Sequence, residues 1–350
     1  MCCEALSLHS GMGTLLKDNR KAIVEAAKKI VITAHKSPDG DAVGSSLALY
    51  HLLKKMGKDA TVILPDPFAV FLKWMPGADE IVFHSKEEER CAELISEADL
   101  IFCLDYNVLH RTGKLAPLLE AQVGKKKFIL IDHHQQPDTF PDVLISDTSS
   151  CSTAELIYEF AVSLDAEDLV DATIGSCIYC GIVTDSGSFR FPNVKPETHE
   201  IVASLLRKGV DHAAIHRAIY DTNKEDRMRL VGYALSEKLV VNRELKTAYI
   251  SLSTEELLRF NYESGDTEGL VNQALSINGV NFAAFLRQAN DIVKISFRSQ
   301  GAFNVNLFAR AHFDGGGHNN AAGAATSELL AEAVSRFESL LPTYAADLNY

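Results

Sequence analysis

The sequence has no excess of positive charge. Its 34 lysines and arginines stand against 47 aspartates and glutamates, a formal net charge of −13. Proteins that hold long duplex nucleic acid normally present a basic surface to the phosphates, so this balance argues against a broad nucleic-acid footprint. A short anionic substrate stays open, because metal ions can neutralise a site locally. No apolar stretch approaches the roughly 20 residues that cross a bilayer, so no membrane partner is expected. The opening segment MCCEALSLHSGMG lacks a basic region followed by a long apolar run and does not read as a secretory signal. A cytoplasmic location is the expectation. Prolines number only 10 and no low-complexity tract occurs, which argues against long disordered regions. Cysteines number seven, an odd count that suits a reducing compartment. Cys103, Cys177 and Cys180 lie inside apolar segments and read as core thiols. Cys177 and Cys180 have C-x-x-C spacing, but no second such pair completes a zinc site.

What is present is a long alternation of apolar runs and amphipathic segments. At 350 residues the chain exceeds what one core usually fills, and two domains are expected. Residues 29–35, 60–65, 80–84, 99–105 and 126–132 read as strands. Helices are expected at 42–56, stopped by Gly57, and at 86–97 and 109–120. That order implies a parallel sheet with crossover helices, an α/β fold. Ser152 and Glu155 form a capping box that opens a helix over 153–163, and 168–183 reads as a buried helix. Residues 196–237 are helical throughout, with Pro196 suited to a first turn. Beyond them 246–253, 281–289 and 291–299 read as strands around a helix at 267–277. A glycine-rich loop, 314–318, precedes a terminal helix at 327–341. The expected division is 15–195, a helical connector at 196–237, and a smaller α/β domain at 238–345.

Four short segments carry the chemistry, and each follows an apolar element. HKSPDGDAVGSS places His35, Asp39 and Asp41 in the turn between a strand and a helix, where open parallel sheets bind ligands. An ordinary polar turn is the competing reading. Asp105 ends DLIFCLD; a carboxylate there is costly to bury unless paired or metal-bound, though a helix N-cap is equally compatible. Asp132, His133 and His134 end another apolar strand, and adjacent histidines on an extended chain point to different sides. Asp185 stands in TDSG after the apolar helix. Together these segments offer five aspartates and three histidines on what should be one sheet edge. Carboxylate and imidazole donors without cysteine suit Mn²⁺ or Mg²⁺. The number of donors is enough for two ions about 3.5–4 Å apart, which activate a water and clamp an in-line phosphoryl displacement.

In the order and wording of these motifs the sequence resembles the DHH phosphoesterase family over nearly the whole chain. DHH at 132–134, HKSPDGDAVGSS before it and GIVTDSG after it carry the likeness. The resemblance implies a parallel α/β domain joined to a smaller C-terminal domain, with the active site in the interdomain cleft. It implies that His35 and Asp39 hold one metal, that Asp41, His133 and Asp185 hold the other, and that Asp105 bridges them. His134 is implied to contact the substrate phosphate, and Asp132 to orient a histidine. GGGHNNAAG (315–323) resembles the DHH-associated domain; Gly315, Gly316, Gly317 and His318 are then expected at a phosphate, and Arg298 is expected to reach the substrate. The physical reason is that consecutive glycines let backbone N–H groups converge on an anion, while arginine suits bidentate phosphate contacts.

Within the family the likeness is to the bacterial nanoRNase and pAp-phosphatase group. The implied function is hydrolysis of short oligoribonucleotides and of 3′-phosphoadenosine 5′-phosphate (pAp) with two divalent ions, Mn²⁺ preferred over Mg²⁺. A phosphodiesterase acting on cyclic di-AMP or pApA is a close rival, and substrate assays rather than motifs separate the two. An exopolyphosphatase and a non-catalytic nucleotide-binding protein are further alternatives. The motifs set neither exonuclease polarity nor oligomeric state, and a homodimer is compatible with them.

Overall fold

The computed structural model describes residues 14–348. The opening segment examined for a secretory signal lies outside them. The chain divides into two compact units, Met1–Asp221 and Thr222–Tyr350.

The first unit runs α1 (Thr14–Ala26), β1 (Lys29–Thr33), α2 (Gly40–Lys55), β2 (Asp59–Leu64), β3 (Val82–Phe83), α3 (Glu88–Glu97), β4 (Leu100–Leu104), α4 (Ala116–Glu120), β5 (Lys127–Asp132), β6 (Val143–Ser146), α5 (Thr153–Ser163), α6 (Ala172–Asp185), α7 (Pro196–Arg207) and α8 (His212–Tyr220). Its six strands are all parallel, in the order β3-β2-β1-β4-β5-β6. Strand residues alternate between two apolar layers. Ile30, Ile32, Phe102, Leu104, Ile129 and Ile131 face α2, α5 and α6; Val31, Ile101, Cys103, Phe128 and Leu130 face the layer of α3 and α4. Burial on both faces is why these strands read as continuous hydrophobic runs. Chain order reverses between β1 and β4, the switch point where open parallel sheets leave a crevice beyond their carboxyl ends.

Several elements differ from the sequence reading. The 109–120 helix is a 3₁₀ segment, Leu109–Leu115, broken at Gly113 before the short α4. The buried helix starts at Ala172, capped by Asp171, and extends to Asp185, so Asp185 is its last residue rather than part of a following loop. The capping box is only half formed: Ser152 Oγ accepts from the Glu155 N–H, but the Glu155 carboxylate takes the N–H of Cys151 instead of Ser152. Cys103, Cys177 and Cys180 are buried free thiols, and burial pushes each thiol pKa up.

The second unit comprises α9 (Glu225–Tyr233), β7 (Leu239–Asn242), β8 (Thr247–Leu252), α10 (Thr254–Arg259), α11 (Leu270–Leu275), β9 (Phe282–Ala289), β10 (Ile292–Ser299), α12 (Val305–Phe313), β11 (Gly316–Gly317), β12 (Ala321–Thr326), α13 (Leu330–Leu340) and α14 (Ala345–Leu348). Its sheet has the order β11-β12-β10-β9-β8-β7, antiparallel except for the β8–β9 pair. A phenylalanine cluster, Phe282, Phe297, Phe308 and Phe337, fills one face. Among the described residues no helix is long and apolar enough to cross a membrane.

Candidate metal centre

Two helices crossing at close range set up the site. An added Cβ at Gly44 of α2 would lie 2.6 Å from the Cys177 carbonyl oxygen of α6. One at Gly181 of α6 would lie 2.5 Å from the Ala154 Cβ and 2.7 Å from Asp41 Oδ1. Only glycine permits this approach. It brings the first turn of α2, with Asp41, beside the last turn of α6, with Asp185.

Asp39 caps α2 through Oδ1, which accepts from the N–H groups of Asp41 and Ala42 at 3.1 Å each. Asp41 is fully buried, and its two oxygens take the N–H groups of Thr153 (2.6 Å) and Ala154 (2.8 Å) at the start of α5. The positive end of a helix thus stabilises a carboxylate 112 residues away in sequence. Asp105 follows β4 with a left-handed backbone, φ 61°, a conformation aspartate tolerates better than most residues. It caps no helix. Its Oδ1 accepts from the Thr153 hydroxyl at 3.1 Å.

Three imidazoles converge on Asp105. His35 Nε2 is 3.3 Å from Oδ2; His133 Nε2 and His134 Nδ1 are 3.6 and 3.7 Å from Oδ1. Beyond this shared approach to Asp105 the two adjacent histidines serve different groups: His133 Nε2 faces Asp41 and Asp185, while His134 Nδ1 turns to Asp132. His35 Nε2 is also 3.8 Å from Asp39 Oδ2, and His133 Nε2 is 3.5 Å from Asp185 Oδ2 and 3.9 Å from Asp41 Oδ2. The geometry gives two triads able to hold an ion, His35–Asp39–Asp105 and Asp41–His133–Asp185, with Asp105 facing both.

The donors fit divalent cations. The Nδ1 atoms of His35 and His133 lie 2.8 and 3.3 Å from the carbonyls of Lys36 and Ser150, which turns each Nε2 toward the carboxylates. An Nε2 facing a carboxylate needs a positive charge between the two, a proton or a metal ion. Most of the N···O separations are long for hydrogen bonds, and they suit two donors each about 2.1 Å from a shared cation. Asp39, Asp41, Asp105 and Asp132 form no ion pair with lysine or arginine among the described residues. Burial opposes protonation of His35, but Asp105 and Asp39 beside it outweigh burial and raise its pKa to about 9. Burial likewise disfavours the Asp105 anion, yet His35, His134 and His133 hold its pKa below the ordinary carboxylate range. Asp41 is pushed up by burial first, then by Asp105, Asp185 and Asp39.

Asp132 is fully buried. It accepts from the His134 backbone N–H at 3.1 Å and, at 2.7 Å, from Nδ1 of the same residue. Asn107 escaped the sequence reading. Its side chain donates to the carbonyls of Gln135 and Gln136 at 2.7 and 3.3 Å, pinning the segment after the histidines. Thr153 also escaped it. Neither has a sequence signal beyond lying near a ligand motif, because the contacts are tertiary.

In the second unit Arg298 lies on β10 opposite Ala321, and its Nη1 donates to the Phe297 carbonyl at 3.0 Å. The glycine run forms a hairpin strand, not an open loop: Gly316 pairs with Gly323 and Gly317 with Ala322. The N–H groups of Gly315, Gly317 and His318 go to Ala309 O, Asn306 Oδ1 and Ala321 O. These three N–H groups therefore do not converge on an anion. Close approach explains the glycines instead, since a Cβ at Gly317 would lie 2.4 Å from the Ala321 carbonyl oxygen.

Two family models match the chain: the DHH family, N-terminal domain, over residues 29–182, and the DHHA1 domain over residues 242–343. The bifunctional oligoribonuclease and PAP phosphatase NrnA of Thermus thermophilus is 31% identical, over 84% of this chain and 83% of its own length. The chain belongs to the DHH family of phosphoesterases. It is therefore a hydrolase. The cyclic-di-AMP phosphodiesterase GdpP of Bacillus subtilis is more distant, at 24% identity over 93% of this chain, which spans 49% of that protein. Among solved DHH-type structures, an exopolyphosphatase-related protein from Bacteroides fragilis superposes with a TM-score of 0.93 at 40% identity, covering 98% of this chain and 100% of the other.

Proposed function

We propose that the protein hydrolyses short oligoribonucleotides and pAp with two divalent metal ions, Mn²⁺ preferred, held by His35, Asp39, Asp41, Asp105, His133 and Asp185. The observation that carries this reading is the pair of donor triads meeting at Asp105, whose Oδ2 faces His35 and Oδ1 faces His133. When bound, two such cations supply the Lewis acidity that eases proton loss from a water and offsets charge on phosphoryl oxygens. The chain's own groups do the rest. Thr153 and the start of α5 fix Asp105 and Asp41. Asp132 holds His134 by Nδ1, leaving Nε2 for a substrate phosphate. Arg298, His318 and the segment Gly315–Gly317 are proposed to bind the nucleotide. The substrate class rests on the name of the Thermus relative and on a net charge of −13, which favours small anionic substrates over long strands. A cytoplasmic location belongs to the same proposal.

The test is a substrate panel with the purified full chain and Mn²⁺: di- to pentaribonucleotides, pAp, pApA, cyclic di-AMP, pyrophosphate and polyphosphate. The expected result is highest kcat/KM on the short oligoribonucleotides and pAp. Highest kcat/KM on cyclic di-AMP or polyphosphate would replace this reading with one of its rivals.

A further inference from the structure

We propose that Glu155 is a positioning residue for the ion held by Asp41, His133 and Asp185, acting on His133 through the one peptide unit that joins Ser150 to Cys151. The inference rests on the two-metal reading above and deepens it. Glu155 stands at the third position of α5, where a complete capping box would turn its carboxylate back to the Ser152 N–H. It reaches one residue further instead, and its Oε2 accepts from the Cys151 N–H at 2.9 Å. The carbonyl of that same peptide unit, on Ser150, lies 3.3 Å from His133 Nδ1. A carbonyl oxygen only accepts, so this contact places the ring proton on Nδ1 and leaves Nε2 for a cation. One planar amide therefore has a buried carboxylate at its N–H and a proposed metal ligand at its C=O.

The carboxylate is held from several sides. Glu155 is 3% exposed; the Ser150 hydroxyl lies 2.9 Å from Oε2, and the Thr198 hydroxyl of α7 donates to Oε1 at 2.7 Å. Ser150 and Thr198 are buried as well. Conjugation couples the two ends of an amide, so a carboxylate drawing on the N–H adds negative charge at the C=O. The Ser150 carbonyl is then a better acceptor for Nδ1–H, and Nε2 of His133 a better donor to a cation. Carboxylates commonly stand directly behind a metal-binding imidazole; here one peptide unit lies between the two. The same segment supplies the N–H groups of Thr153 and Ala154 that hold Asp41. Glu155 thus fixes the stretch of chain that addresses two of the three donors in this triad. In the other triad His35 rests on the Lys36 carbonyl and Asp39 on the first turn of α2. Loss of the Glu155 charge should therefore weaken one ion and spare the other.

The experiment titrates Mn²⁺ into the full chain by calorimetry, for wild type, Glu155→Gln and Thr198→Val, and records each melting temperature. Thr198→Val removes a buried hydrogen bond from Oε1 and leaves the Cys151 contact on Oε2, so it measures structural damage alone. Wild type should take two Mn²⁺. Glu155→Gln, which keeps the shape and loses the charge, should bind one as before and the other about 10- to 100-fold more weakly. Its turnover of pAp should recover as Mn²⁺ is raised. Thr198→Val should melt earlier with both Mn²⁺ affinities unchanged. If Glu155→Gln does not fold, Glu155→Asp carries the comparison, because the shorter acid withdraws from the Cys151 N–H. Equal weakening of both ions, no weakening of either, or the same selective loss in Thr198→Val would overturn the proposal. A wild type that binds no Mn²⁺ would sink it together with the two-metal reading. A wild type that binds two Mn²⁺ and cleaves nothing on the panel, with the selective loss in Glu155→Gln, would support Glu155 and sink only the substrate reading.

Discussion

Asp105 carries more of the site than any other side chain, because three imidazoles and the Thr153 hydroxyl all address it. Asparagine tolerates its left-handed backbone about as well as aspartate does, so Asp105→Asn removes the charge with little change of fold. Turnover should be abolished on every substrate while the melting temperature stays near wild type; near-wild-type kcat in the folded variant would refute its place in the site. Asp132→Asn is a milder change, because Asp132 acts through His134. A drop of about 10- to 100-fold is expected. The donors of the two candidate triads were legible in the sequence, since each lies in a short segment at or just after the end of an apolar run. Thr153 and Asn107 were not. Their roles come from contacts that exist only once β4, β5 and α5 are assembled.

At the scale of elements, the crossing of α2 and α6 places Asp41 against Asp185, and two glycines permit it. Propensity alone would make Gly44→Ala stabilising by about 1 kcal/mol, as alanine is the better helix former. The 2.6 Å approach to the Cys177 carbonyl predicts the opposite sign, a loss of about 1–3 kcal/mol from forced separation. Urea unfolding decides between them, and a rise in stability would show that the helices part at no cost. In the second unit, Glu256 links α10 to the chain before β7. Burial disfavours its anion, but Lys238 (2.8 Å), the Ser253 N–H (2.8 Å) and Tyr233 (2.7 Å) outweigh burial and hold its pKa down at about 2, against an ordinary 4.5. A depressed carboxylate contributes stability that is complete above the unfolded pKa and fades as pH falls through the folded one. Glu256→Gln should therefore flatten the fall in stability between about pH 5 and pH 2. Parallel acid-unfolding curves for the two proteins would count against that linkage. The elements hardest to read were β12 and the glycine hairpin: AAGAAT has little β propensity, and its pairing depends on β10, far away in sequence. The short edge strands β6 and β7 carry too few residues for a period to emerge.

At the scale of the whole molecule, the two units divide the work in the proposed function: the first holds the donors, the second the nucleotide. Arg298→Ala and His318→Ala should then damage pAp hydrolysis more than hydrolysis of bis-p-nitrophenyl phosphate, a generic phosphoester with no nucleoside to hold. Equal losses on both would indicate general structural damage instead. The net charge of −13 bears on substrate length. Long single strands are normally held by a basic groove with stacking aromatics. Here nucleotides beyond the site meet an acidic chain, and that repulsion is least screened at low salt. The central claim, metal-dependent cleavage of short phosphoesters, is tested most directly by one kinetic series. Hydrolysis would be followed on 5′-labelled oligoribonucleotides, from dinucleotides to long strands, after exhaustive chelation and again after Mn²⁺ is restored. The account predicts no turnover without metal, and with metal a kcat/KM that is highest on the shortest strands and falls with length. Full activity after chelation, or long strands cleaved as efficiently as trinucleotides, would contradict it.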